Sequence, residues 1–286
     1  MTTTTAVPAG TPTARRRPGT ASVLRWEITK VAAQARSRAL LIGAIVVPIA
    51  IVLIFNTQLP PKDTIYGRHI HTSGYAVPLF VLAFAHQWVL PLLAALVAGD
   101  IFANEDQYGT WKTILTRSVS RTQVFWAKTL TAVGVNLLVL ALLAASTITT
   151  SLLVVGTQPL PGLSGQLIPA GSALPIVIAS WATAVPPVLG FTALAILLSV
   201  ITRNPTIGVA APVVLGMIMQ LLSGLGGLNK ARQILLTTPF EAWHGLLTAH
   251  PFHAPITTGA IVSAGWLIIC LALAYPYLRR RDITGG

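Results

Sequence analysis

Cysteine occurs once, at Cys270 inside the last apolar run, which excludes an intrachain disulfide and a cysteine-rich metal site and leaves the redox compartment open. Acidic residues are nearly as sparse, 7 against 19 Lys and Arg, in a chain only 9% charged. All of them, Glu27, Asp63, Asp100, Glu105, Asp106, Glu241 and Asp282, fall outside or at the rim of the long apolar runs. Ion-coupled carriers keep a carboxylate near the bilayer midplane, and intramembrane metalloproteases need acidic or His ligands there, so neither chemistry is expected. No G-x-x-x-x-G-K-[ST] phosphate loop and no nucleophile-elbow spacing occur, so the expectation is a non-enzyme without catalytic residues. Energy for any active transport would have to arrive from another polypeptide.

Apolar surface is what the chain has in excess. At 53% hydrophobic residues and a mean hydropathy of +0.73, one soluble core could not bury it, and the reading is an all-α integral membrane protein. Six apolar stretches, about 39–55, 77–98, 127–155, 173–201, 207–228 and 256–278, are each near or above the roughly 17–25 residues that span a bilayer as helix. Pro48, Pro91, Pro186, Pro187, Pro212 and Pro276 fall inside them, which implies bent helices packed on neighbours that re-satisfy the freed carbonyls. Residues 1–20 carry almost no large apolar side chain and are expected to be a disordered tail; residues 279–286 form a second, C-terminal tail. Arg15 to Arg17 resemble the start of a targeting signal, yet no apolar run comes until about residue 39, so no cleaved signal is expected. Between tail and first span, residues 21–38 place Leu24, Ile28, Val31 and Ala35 on one face, with Arg25, Lys30 and Arg36 elsewhere and Trp26 nearby. That pattern fits an interfacial helix on an anionic leaflet, with a soluble lead-in helix as the alternative.

The net charge of +12 does not point to nucleic acid, because no basic helix interleaved with aromatics appears and the cations cluster beside the apolar runs. Counting loops alternately, 15 Lys and Arg fall on the side of the two termini and 4 on the other, so both termini are expected in the cytoplasm. The excess of Arg over Lys and the abundance of Ala fit a GC-rich bacterial genome, hence a bacterial cytoplasmic membrane.

The charges concentrate between the second and third spans. Gly99 to Lys128 holds Asp100, Glu105, Asp106, Lys112, Arg117, Arg121 and Lys128 between two uncharged runs. Gly109 can break the backbone and Thr110 can cap a short helix in which Trp111, Ile114 and Leu115, at i, i+3 and i+4, make one apolar stripe suited to a groove. Ser120 to Gln123 has the spacing of a capping box that opens the third span. An ordinary amphipathic loop lying on the lipid surface has the same pattern.

Acidic residues, Gly-Thr, an apolar Leu, a Ser-Arg turn and a Lys at the next span resemble the corresponding loop of ABC-2 type permeases, the membrane subunits of many ABC exporters. Here the matching residues are Glu105, Gly109, Thr110, Leu115, Ser120, Arg121 and Lys128; the family commonly has proline where this chain has Ser118. The resemblance implies a six-span, type V exporter-like architecture, with residues 21–38 as a connecting helix and Glu105, Gly109, Thr110, Trp111, Ile114, Leu115 and Arg121 as the coupling site for an ATPase. It also implies ABC ATPase subunits as partners, carrying ATP and Mg, with no cofactor in this chain, a second permease copy or a homologue, and export of a hydrophobic or amphipathic cargo, for which a lipid, peptide, antibiotic (as in multidrug transport) or polysaccharide would all suit. A membrane scaffold or sensor docking a soluble protein, or an ATP-independent channel or carrier, is the alternative.

His86 and Gln87, mid-way along the second span, with Asn136 and Gln220, are the polar groups that could line a substrate path or make interhelical hydrogen bonds. His69, His71, His244, His250 and His253 fall in the outer loops, without the carboxylate or thiol partners a metal site needs, and read as surface histidines. Asn229 to Pro255 carries Phe240, Trp243, Leu246 and Leu247 at helical spacing, as a re-entrant or surface helix would.

Overall fold

The computed structural model describes residues 19–57, 64–115, 119–225 and 232–281. Residues 1–18 of the tail expected at 1–20, residues 282–286 of the tail expected at 279–286, Arg117, Ser118 and the side chain of Leu115 lie outside the described residues. Helix α1 is Thr20–Ala33, and six helices are long and apolar enough to cross a membrane: α2 Ala35–Thr57, α3 Ala76–Ala98, α6 Arg121–Val154, α7 Ala170–Thr202, α8 Pro205–Gly224 and α9 Ala254–Arg280. Two short helices, α4 Ala103–Gln107 and α5 Trp111–Leu115, lie between α3 and α6. The chain is thus an all-α membrane protein, with one exception at its far end, a two-residue antiparallel pairing of β1 Leu160–Pro161 with β2 Leu167–Ile168.

The chain turns at Gln34, which is extended, so α2 already includes Arg36 and Arg38, residues expected on the preceding helix. The inward face of α1 also differs from the expected stripe. Val23, Glu27 and Val31, spaced by four, are buried, whereas Ile28 is exposed. The cause is electrostatic: Glu27 faces inward to meet Lys128 of α6, and the turn that serves this contact leaves Leu24 half-buried and Ile28 exposed.

Within α3, a π-helical turn at Ala85–Val89 carries His86, and α7 is offset at Thr183–Ala184 between Ala170–Ala182 and Val185–Thr202. At one end of the bundle α3 and α8 touch through backbone: a Cβ placed on Gly208 would lie 2.0 Å from the carbonyl oxygen of Gly99. Only glycine permits that approach. The same end gathers α5, the start of α6 and the ends of α3, α7 and α9 around Phe102, Trp111, Ile114, Phe125 and Leu278, with α1 packed on α6. At the opposite end a 3-10 helix, Thr238–Leu247, buries Phe240, Trp243 and Leu247 in the larger core, with Phe240 stacked on Phe191 of α7. The hairpin is tied to it by the Leu163 amide and the Gln166 side chain, which both donate to the Leu247 carbonyl, at 2.8 and 3.0 Å.

Candidate functional site

The segment from Gly99 to Arg121 is built around Glu105. Ser199 of α7 accepts from the amides of Phe102 and Ala103, at 3.2 and 3.1 Å, which anchors the start of α4 against a span. Gly109 has φ +64°, a left-handed turn that costs glycine nothing and lets α5 fold back beside α4. The fold-back brings Thr110 to Glu105, whose backbone carbonyl accepts from the Thr110 amide at 3.0 Å and whose carboxylate accepts from the Thr110 hydroxyl.

Glu105 is only 2% exposed, and two ammonium groups meet it: Lys30 of α1, and Lys128 of α6 at 2.7 Å. Lys128, itself 1% exposed, also reaches Glu27 of α1 at 3.1 Å. Burial alone pushes the Glu105 carboxyl up, but the Lys128 charge and the hydrogen bonds from Lys128, Lys30 and Thr110 outweigh it and hold the group down to about 2. Each member of such a cluster keeps the others tolerable in a dry site, since a lone buried charge would be far costlier. A cavity of about 170 Å³ beside the cluster is bordered by Glu27, Lys30, Asp100, Glu105 and Lys128.

Two further pairs widen the clamp. Arg36 of α2 reaches Asp100 at 2.6 Å, and Asn104 donates to the same carboxylate at 2.8 Å. Arg281, just past α9, pairs with Asp106 and lies over the Trp111 ring at 5.8 Å, while the Trp111 indole N–H donates to Asp106 at 3.1 Å. Arg121 donates to the carbonyls of Arg279 and Arg281 at 2.8 and 2.5 Å, capping the end of α9. The capping box is present, Ser120 Oγ accepting from the Gln123 amide at 3.2 Å and Gln123 Oε1 from the Ser120 amide at 2.9 Å.

The apolar stripe of α5 is where expectation and structure part. Trp111 and Ile114 are 4% and 6% exposed and turn into the chain's own cluster, so the groove this helix occupies is supplied by α6, α7 and α9 of the same chain. What α4 and α5 present outward is Gln107, Tyr108, Gly109, Lys112 and Thr113. Lys30, Glu27 and Arg281 were missing from the expected site. The signal for Glu27 is its place between Val23 and Val31 on one helical face, where a carboxylate can be buried only against a cation.

His86, Gln87, Asn136 and Gln220 do not border the cavity at Glu105. Asn136 is buried and donates to Thr192 of α7 at 2.8 Å and to the Ala94 carbonyl of α3 at 3.4 Å, an interhelical bond across three spans. Gln87 and Gln220 are half-buried. His86 is buried, with Nδ1 at 3.1 Å from the Leu82 carbonyl and Nε2 at 2.7 Å from Glu241 of the 3-10 helix. A carboxylate from outside the spans therefore reaches His86, because the 238–247 segment packs in against α7 and α9 and carries Glu241 to it.

Among curated proteins, none matches the chain. A family model does: that of the ABC-2 family transporter protein aligns with residues 23–223, from the buried face of α1, through the Glu105 clamp, to the last turn of α8. A match over more than half the sequence, taking in five of the six apolar helices, makes the chain a member of the ABC-2 transporter family.

Proposed function

We propose that this chain is the permease subunit of an ABC exporter, forming the path for a hydrophobic or amphipathic substrate and driven by a separate ATPase that carries the ATP and Mg²⁺. Two permeases, identical or homologous, pair with two ATPases, and both termini and the 99–121 segment face the bacterial cytoplasm. The excess of Lys and Arg on that side supports the orientation.

The observation that carries the reading is the Glu105 clamp. Displacing the 99–121 segment pulls α1 through Lys30, α6 through Lys128 and α9 through Arg281, three elements from one push. ATPases closing on that segment would shift paired permeases between states open to opposite sides. The contact face is Gln107, Tyr108, Gly109 and Lys112, with Trp111 and Ile114 transmitting from within.

Cys270 is the single thiol and is buried, so Lys112→Cys installs one reactive position. A membrane-impermeant maleimide should label it in inverted vesicles and leave it untouched in intact cells. A P-loop ATPase should co-purify with the wild type and be lost on Tyr108→Asp. Labelling of intact cells, or a clean homo-oligomer whose transport survives Tyr108→Asp, overturns the reading in favour of a scaffold or an ATP-independent carrier.

A further inference from the structure

The helix α7 ends on Arg203, which has φ +55° and is the one non-glycine residue with positive φ among the described residues. Glycine or asparagine usually holds that left-handed position, because a larger side chain is strained there. The turn is tight: Thr202 Oγ1 donates to the Leu198 carbonyl at 2.7 Å, and Asn204 Oδ1 caps α8 by accepting from the Thr206 and Ile207 amides at 2.9 and 3.3 Å. The arginine it presents faces an open groove of about 460 Å³ against the end of α9, walled by Arg203, Leu273, Pro276, Tyr277, Arg280 and Arg281.

The groove has two characters. At the bundle end it is cationic. The four acidic residues of that end are engaged elsewhere, Glu27 and Glu105 with Lys128, Asp100 with Arg36 and Asp106 with Arg281. Arg203 and Arg280 are exposed and have no carboxylate partner among the described residues. Towards the spans it is apolar, with Leu273 and Tyr277 exposed by 55% and 45% along a membrane helix. An anion alone would leave the apolar wall uncovered, and an acidic protein surface would not reach along a span.

We infer that this groove binds an anionic phospholipid of the adjacent leaflet, its phosphate between Arg203 and Arg280 and an acyl chain along Leu273 and Tyr277. Guanidinium forks match phosphate oxygens, basic pockets between membrane helices take anionic headgroups, and tyrosine favours the headgroup level. The inference does not rest on the transport reading, since it needs only that this end of the bundle sits at an interface.

The test uses the full chain in phosphatidylcholine nanodiscs with a trace of phosphatidylglycerol, and native mass spectrometry to count retained phosphatidylglycerol. Arg203→Gln with Arg280→Gln should weaken retention roughly fivefold per arginine, on the order of 30-fold together. Arg232→Gln, exposed at the opposite end of the bundle, should leave it unchanged, and Arg203→Lys with Arg280→Lys should restore much of it. In the wild type, with no substitution, raising salt should erode the preference for phosphatidylglycerol, because the groove is open to screening. Equal retention by wild type and the double Gln variant, or a preference indifferent to salt, overturns the inference. Displacement by glycerol 3-phosphate alone would make it a free-phosphate site, and loss of a co-purifying protein with lipid retention intact would make it a protein-docking face; either result also overturns it.

Discussion

Replacing Glu105 by Gln keeps the side chain's shape and removes its charge, so it isolates the electrostatic part of the clamp. Between an ordinary carboxyl at 4.5 and the buried group at about 2, the ion pairs with Lys128 and Lys30 supply the difference against burial. At about 1.4 kcal/mol per pKa unit this is roughly 3 kcal/mol. Removing one partner of a buried pair costs about 3–5 kcal/mol, a second route to the same size. The sign is set by the lowered value: the contribution is complete above about 4.5 and fades as pH falls towards 2. Unfolding of wild type and E105Q by SDS titration in mixed micelles, at about pH 7.5, 5.5 and 3.5, should give a gap of roughly 3 kcal/mol at the first two and about 1.4 kcal/mol less at the third. Lys30→Met should cost less than about 1 kcal/mol, because its side chain is 35% exposed and water screens the pair. A gap under about 1 kcal/mol near neutral pH, or one that does not narrow in acid, refutes the assignment of Glu105 as the electrostatic centre.

Three other outcomes are expected. Trp111→Ala removes a ring that is 4% exposed and should cost about 3–5 kcal/mol, and it should also speed tryptic cleavage beside Arg281, which the ring helps to hold; unchanged cleavage would mean that α5 and α9 are not linked. Gly208→Ala puts a methyl 2.0 Å from the Gly99 carbonyl oxygen, backbone against backbone, so the monodisperse fraction on gel filtration should collapse; a normal profile would show that α3 and α8 can separate there. At the opposite end, burial pulls the His244 imidazole down, but its bonds to Glu241 outweigh this and leave it above 6.5, while His244 and His86 hold Glu241 below its ordinary 4.5 against burial. The raised His244 contributes fully below about pH 6.5 and is lost as pH rises past its folded value, and the lowered Glu241 contributes above about pH 4.5. Amide exchange over 238–247, corrected for its intrinsic pH dependence, should therefore be slowest between those limits, and Glu241→Gln should flatten the profile.

The six spans were legible because lipid demands long uncharged helices, and composition along the chain marks them directly. The capping box at Ser120 and the break at Gly109 were legible for a local reason: each depends on residues within three or four positions. What stayed hidden are long-range pairings. Lys128 finds Glu27 across 101 positions, and His86 finds Glu241 across 155; no periodicity within either helix names its partner. The stripe of α5 shows a second limit. Spacing established that Trp111 and Ile114 share a face, but whether that face meets a partner or the chain's own core depends on the arrival of α9, whose Arg281 and Leu278 close over it.

One arrangement of charge accounts for both faces of this end of the bundle. Glu27, Asp100, Glu105 and Asp106 each point inward to a Lys or Arg from another element, so locally the interior is close to neutral. Drawing the acids inward leaves Arg25, Arg38, Lys112, Arg203 and Arg280 outside, and the exterior is basic in consequence. The outward cations are thus a by-product of how the helices are fastened together. Moving any one of the four acids to the surface would break an ion pair inside and lower the positive charge outside, and for Asp106 it would leave Arg281 buried without its carboxylate. Glu105 is then the least replaceable of the four, because it alone among them is met by two ammonium groups from two different helices.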